Sequence, residues 1–232
     1  MKNYKHIFFD LDHTLWDFEK NCTETLQELY DLHRMSEFQS FSVQDFIKEY
    51  LFVNDSMWKD FNAGLLTKKD IRDLRFKYTF ERLGVEEKHI PMTINEEFLR
   101  LCPAKGHLLP YAHDVLSYLH KKYILHILTN GFTETQHIKI STSNLRIYFN
   151  EIIHSEHVGY PKPDKRIFEF AINKAKAGSC EDCIMIGDDL EADILGARNA
   201  GMDHIFLNRK NLKHSEEVMF EIKCLSELYK IL

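Results

Sequence analysis

Five short apolar runs, each closed by polar residues, constrain this chain more than any other feature. They lie at residues 7–9, 124–128, 151–154, 183–186 and 204–207. Runs of this length bounded by turn residues read as strands buried on both faces. From Pro110 onward they alternate with helical spacing over 110–122, 134–144, a stretch through Ile167, Phe168, Phe170, Ala171 and Ala175, and 191–200 closed by Gly201. Strands alternating with helices imply a parallel sheet covered on both faces. The expected fold is α/β, a doubly wound parallel sheet.

Between the first two runs the rhythm is different. Residues 18–102 read as helical, with no convincing strand. One helix begins near Asn21 and carries Leu26, Leu29, Tyr30 and His33 on one face. Ser42 is placed to cap a second, which carries Phe46, Tyr50, Phe52 and Val53 and continues through Met57, Trp58 and Phe61. A third follows Thr67 through Ile71, Leu74 and Tyr78 to Leu83, where Gly84 supplies the stop. A fourth covers 93–101, between Pro91 and Pro103. A helical insertion emerging from the loop after the first strand is the simplest topology.

Composition narrows the function classes. A chain of 232 residues with 44% hydrophobic and 28% charged residues holds one large domain or two modest ones. A net charge of −6 argues against a broad nucleic-acid surface, which needs clustered positive charge. No apolar run approaches bilayer length, and no basic region with an apolar targeting core precedes the first strand, so a cytoplasmic location is expected. The spacing Cys180-Glu-Asp-Cys183 admits zinc or redox work. No second ligand pair accompanies it, and Cys183 leads into an apolar run, which suits a small buried hydrophobe.

In open parallel sheets ligands sit beyond the carboxyl ends of the strands. Asp10 and Asp12 end the first strand, on the same side by strand alternation. Held together there they repel and lose hydration, and they need a cation, a proton or a helix end. Thr129-Asn130-Gly131 ends the second run and Gly187-Asp188-Asp189 a later one, while Lys162 lies in a proline-flanked turn. Singly each has an ordinary reading: a strand-terminating turn, an Asn-Gly turn, a solvated lysine, a helix cap. Four of them at strand ends point to one site.

Each residue type has a task if the substrate is a phosphate ester. Asp10 and Asp188, with the Asp12 backbone carbonyl, offer the hard oxygens that Mg²⁺ prefers. Asp10, already ionised, would attack phosphorus without an activating base. Asp12 would protonate the leaving oxygen and then activate water. Thr129, with backbone N–H groups around Asn130 and Gly131, would hold phosphoryl oxygens, and Lys162 would neutralise them. Leu11 and Asp12 of the first loop join this phosphate-binding set. Thr14, Asp189 and Asp193 would stand behind the ligands, Asp193 acting on metal waters or on Lys162.

These segments resemble the motifs of the haloacid dehalogenase superfamily of phosphohydrolases. Asp10-x-Asp12-x-Thr14 matches its first motif, Thr129 its second, Lys162 its third, and Gly187-Asp188 with the later acid Asp193 its fourth. The resemblance implies a Rossmann-like core over 1–15 and 99–232, with residues 16–98 forming a helical cap inserted after the first motif. It also implies Mg²⁺ dependence and an aspartyl-phosphate intermediate. Dehalogenase and phosphonate-cleaving members lack the second aspartate, so Asp12 argues for an oxygen-linked phosphate; mutases keep it.

The run Asp10-Leu-Asp-His-Thr-Leu-Trp-Asp17 and the pattern Ser155-Glu156…Gly159…Lys162-Pro-Asp are similar to the pyrimidine nucleotidase group. That implies a 5′-nucleotidase acting on a small phosphorylated metabolite, with neither a nucleic-acid polymer nor a membrane as partner, as a monomer or small homo-oligomer. The alternatives are a phosphatase of a sugar phosphate or phosphoglycolate, a phosphomutase, a haloacid dehalogenase, and a phosphate-binding protein without turnover. Among the aromatic residues, Trp16 is the best placed to stack on a base, because it follows the first motif directly.

Overall fold

The computed structural model describes residues 2, 4–38 and 40–232. β1 (His6–Phe9) is buried along its whole length. The chain then enters the helices α1 (Phe18–Leu32), α2 (Met35–Phe38), α3 (Val43–Asn62), α4 (Lys68–Arg82) and α5 (Ile94–Leu101). It returns through α6 (Ala112–Leu119), β2 (Ile124–Thr129), α7 (Thr133–Thr142), β3 (Phe149–His154), α8 (Ser155–Val158) and α9 (Lys165–Lys174). β4 (Cys183–Gly187), a π-helical turn at Leu190–Leu195, α10 (Gly196–Asn199), β5 (Asp203–Leu207) and β6 (Phe220–Ile222) complete the order.

The strands form one six-stranded sheet in the order β3-β2-β1-β4-β5-β6, parallel throughout. β1 lies between β2 and β4, with Phe8 in register with His126 and Met185. On one face Phe8, Leu128, Ile153 and Met185 pack against Ile167, Phe168 and Ala171 of α9 and against Ala197 and Met202. Burying a side chain such as Phe168 stabilises by roughly 1.5–3 kcal/mol, which is why these short strands read as continuous apolar runs. β6 was not expected from the sequence: its three residues carry too little pattern to separate from a loop. The helix expected over 191–200 is instead a π turn followed by one short α-helix.

The chain divides into two compact units, Met1–Phe18 with Gly106–Leu232, and Glu19–Lys105. The changeovers fall later than the 16–98 segment expected from sequence. Trp16 stays with the sheet because its backbone bridges to Asp12 and to Leu108. Cys102 stays with the helices because its thiol meets that of Cys22.

Within the helical unit, α3 and α4 start with reciprocal caps, Ser42 with Asp45 and Thr67 with Asp70. Each satisfies backbone N–H groups that the helix leaves open. The interior is aromatic: the Tyr50 ring lies 4.9 Å from Phe76 and 5.0 Å from Phe98, and Phe46 lies 5.5 Å from Phe80. The buried face of α4 is Ile71, Arg75, Phe76, Thr79 and Phe80; of the positions that the sequence pattern picks out, Ile71 is buried, Leu74 is half-buried and Tyr78 is exposed. The Arg75 guanidinium lies over the Tyr50 and Phe98 rings and donates to Asn54, which lets a charged side chain sit in this aromatic interior. Phe52 and Phe170, which the helical patterns of their segments include, are exposed.

Candidate active site

The carboxyl ends of β1, β2 and β4 lie side by side, so Asp10, Thr129 and Gly187-Asp188 meet at one edge of the sheet. Lys162 is brought to them by Asn130. The Asn130 amide donates to the Lys162 carbonyl and accepts from the Lys162 N–H, both at 2.9 Å. Fixed in this way, the Lys162 ammonium donates to Asp10 Oδ1 at 2.6 Å, Asp193 Oδ1 at 2.6 Å and the Leu128 carbonyl at 2.8 Å. Its side chain is 2 % exposed, so its three protons are matched by three protein acceptors rather than by water.

Two carboxylates, Asp10 and Asp193, share that ammonium, and Asp188 lies beside them without a contact to it. Oxygens of Asp10, Asp188 and Asp193 all lie within 4.8 Å of one another. Burial lowers the Lys162 ammonium, but Asp10 and Asp193 outweigh it and hold the lysine charged. Burial pushes Asp10 up to about 7, with Lys162 pulling it down and Asp193 pushing it further up. Burial also lifts Asp188 well above the usual carboxylate range, Asp10 and Asp193 add to this, and only the Thr14 hydroxyl, at 3.0 Å, works against it. Asp193 is raised by burial and lowered by Lys162, and its second oxygen accepts from the Asp189 N–H. One oxygen each of Asp10 and Asp188 therefore has no donor among the described residues, a donor set that fits a hard divalent cation.

Gly187 is where this crowding needs glycine: a Cβ there would stand 2.1 Å from Asp193 Oδ2. Asp193 thus reaches across the β4 terminus to Lys162. Asp189 does not join it, because its side chain caps the following turn through the Glu191 and Ala192 N–H groups.

A second group surrounds Asp12. Gln136 Nε2 donates to Asp12 Oδ2 at 2.9 Å and to Thr129 Oγ1 at 2.8 Å. The Lys139 ammonium donates to both Asp12 oxygens, at 2.7 and 2.9 Å. Burial would raise the Asp12 carboxyl, but Lys139 and then Gln136 outweigh it and hold it below the usual range. Thr129 Oγ1 also accepts from the Gly131 N–H at 3.0 Å. With both acceptor positions of the hydroxyl filled, its own proton is directed at a third partner.

Gln136 and Lys139 were not anticipated. They lie three residues apart on α7, where such a pair reads as a solvated face, yet they are 0 % and 8 % exposed. Other expectations change as well. The Gly131 N–H is already used by Thr129 and is not a phosphate donor in this arrangement. The Asn130 side chain clamps Lys162 rather than facing a ligand. Trp16 has no exposed face for a base, being 0 % exposed, and its ring lies 4.5 Å from the Lys139 ammonium. Leu11 is buried, and neither its N–H nor that of Asp12 donates to an acceptor among the described residues, which leaves this pair as the backbone donors of the first loop.

Comparison with known proteins gives concordant findings. The sequence model of the family described as haloacid dehalogenase-like hydrolase matches residues 4–201. The chain is 32% identical over 228 residues to the pyrimidine 5′-nucleotidase YjjG of Escherichia coli, spanning 97% of this chain and 96% of that protein. It is 33% identical over 212 residues to the pyrimidine 5′-nucleotidase PynA of Streptococcus pneumoniae, spanning 91% and 86%. A crystal structure of the HAD-hydrolase YfnB from Bacillus subtilis, bound to magnesium, superposes with a TM-score of 0.87 at 29% identity over 99% of each chain.

Proposed function

This chain belongs to the haloacid dehalogenase-like hydrolases, and within that family we propose that it is a Mg²⁺-dependent phosphomonoesterase acting on pyrimidine nucleoside 5′-monophosphates. The observation that carries the reaction class is the Asp10–Lys162–Asp193 chain of ion pairs, with Asp12 held two residues beyond Asp10. The substrate class is supported by the likeness to the two nucleotidases over most of the chain.

In this reading Asp10 attacks phosphorus, a bond forms to its carboxylate oxygen, and the bond from phosphorus to the ester oxygen breaks. Lys162 holds Asp10 in place and offsets negative charge beside it, while the Thr129 hydroxyl and the Leu11 and Asp12 N–H groups receive phosphoryl oxygens. The departing oxygen takes its proton from Asp12. Because Lys139 keeps Asp12 ionised in the free protein, that proton arrives with the substrate: a phosphate monoester has its second pKa near ~6 and brings one as the monoanion. Water then attacks phosphorus and gives its proton to Asp12, the bond from phosphorus to Asp10 breaks, and phosphate leaves. Asp10 and Asp188, with the Asp12 carbonyl, would hold Mg²⁺, which supplies positive charge against the phosphoryl oxygens.

The raised carboxyls give this metal assignment a pH signature. A carboxyl with its folded pKa above its unfolded one binds its proton more tightly when folded, so its contribution to stability falls as pH rises through that window. For Asp10 the window runs from the ordinary value of ~4 up to about 7. His126 and His154, each lowered by burial to about 4, act in the opposite sense. Both lie outside the acidic cluster and cancel in a comparison with and without metal. The rise in Tm on adding Mg²⁺ is expected to grow from pH 5 to pH 7, with apparent affinity increasing by up to about tenfold per pH unit for each proton displaced. A Mg²⁺-induced shift of equal size at both pH values contradicts the assignment.

A screen of phosphorylated metabolites in Mg²⁺ tests the substrate. UMP, dTMP and related nucleotides are expected to give the highest kcat/KM. Preference for a sugar phosphate or phosphoglycolate would overturn the nucleotide assignment while leaving the reaction class standing.

A further inference from the structure

We propose that Lys139 and Gln136 are positioning residues for Asp12, fixing its carboxylate in the orientation from which it takes the proton of the attacking water in the second half-reaction. The proposal rests on the reading of Asp12 as the acid and base of a phosphomonoesterase.

The contacts are directional. Lys139 meets both oxygens of one carboxylate, a two-point contact that limits rotation of the Asp12 carboxylate plane. Gln136 adds a third bond to Oδ2 and, through the same nitrogen, joins Asp12 to the Thr129 hydroxyl. The base is thus tied to a predicted phosphate donor by one amide. The surroundings keep this arrangement in place. Gln136 lies directly over Gly131, where a Cβ would stand 2.0 Å from its amide nitrogen. Lys139 is covered by the Trp16 ring, which is itself completely buried. A lysine used only for surface charge needs neither such a cover nor a glycine cleared for its neighbour.

Gln136 Oε1 is buried and accepts no hydrogen bond among the described residues. An unsatisfied buried acceptor costs about 1–3 kcal/mol, so the orientation that puts the Gln136 amide nitrogen on both Asp12 and Thr129 is kept at a cost to stability.

Aspartyl-phosphate formation from an aryl ester needs no proton donor, because a phenolate with electron-withdrawing substituents leaves unaided. Hydrolysis of the aspartyl-phosphate still needs the base. Rapid-quench kinetics with p-nitrophenyl phosphate in Mg²⁺ therefore separate the two steps. Lys139→Met is expected to give a burst of nitrophenol equal to the enzyme present, followed by turnover reduced about 100-fold, the scale of a misplaced catalytic group. Gln136→Leu, which introduces no charge change, is expected to show the same pattern with a smaller loss. Lys139→Arg, which keeps a two-point donor, recovers most of the turnover. Asp12→Asn run in parallel is expected to give the burst with a larger loss. If Asp12→Asn turns over normally, the reading of Asp12 fails. If it shows the burst while Lys139→Met and Gln136→Leu turn over normally, or lose burst and turnover in proportion, the positioning role fails and the reading of Asp12 stands.

Discussion

Lys162→Met is expected to lose both turnover and several kcal/mol of stability. The ammonium compensates two buried carboxylates at 2.6 Å each. Removing one partner of a buried pair leaves an uncompensated charge and costs about 3–5 kcal/mol; here two acids are stranded and a third, Asp188, lies beside them. Methionine preserves volume, so the loss is electrostatic rather than a cavity effect. Lowering the pH is expected to recover part of it, since Asp10 and Asp193 are already raised in the native protein and take up protons more readily once the lysine is gone. Turnover should fall about 10²–10³-fold, on the scale of removing a preorganised charge from a transition state. Urea unfolding at pH 7 and pH 5, with kcat measured where the variant is fully folded, separates the two effects. A variant as stable as the parent at pH 7 would mean that these carboxylates are not ionised in the folded chain.

Asp10→Asn carries the largest expected effect on activity. The amide fills the same volume, and Lys162 keeps Asp193 and the Leu128 carbonyl as partners. The fold should therefore persist, and without metal its Tm should hold or rise, because one of three crowded carboxylates is gone. An amide is no nucleophile toward phosphorus at neutral pH, so turnover is expected to drop on the order of 10⁴-fold or more, as when a covalent nucleophile is removed. A fall in activity accompanied by an equal loss of folded protein would not support the assignment; circular dichroism on the assayed sample distinguishes the two.

The strand-end residues were legible in the sequence because each interrupts an apolar run with a group that a sheet interior does not tolerate. Asp10, Thr129 and Asp188 were found in this way, and Lys162 by its proline-flanked turn. The parallel sheet followed from the same alternation. What stayed hidden depends on tertiary contact. Gln136 and Lys139 read as a polar helix face because nothing local says that Asp12 and Trp16 will cover them. On α4 the buried Arg75 is not legible in the sequence, because its burial depends on the Tyr50 and Phe98 rings stacked against it. Trp16 follows the first motif in sequence, but its backbone pairs with Leu108 and draws the ring inward. The sequence separates Asp188, as a metal ligand, from Asp189 behind it, but not what Asp189 does: the backbone sends Asp188 to the cluster and turns Asp189 to cap a helical turn.

The most direct measurement is rapid acid quench of the Mg²⁺-loaded protein with a nucleotide carrying a labelled 5′-phosphate, followed by peptide mapping. Hydroxylamine-labile label on the peptide that contains Asp10, missing in Asp10→Asn, is the predicted result. Label on another residue, or none while phosphate is released at the full rate and the phosphoenzyme is kinetically required to accumulate, contradicts it.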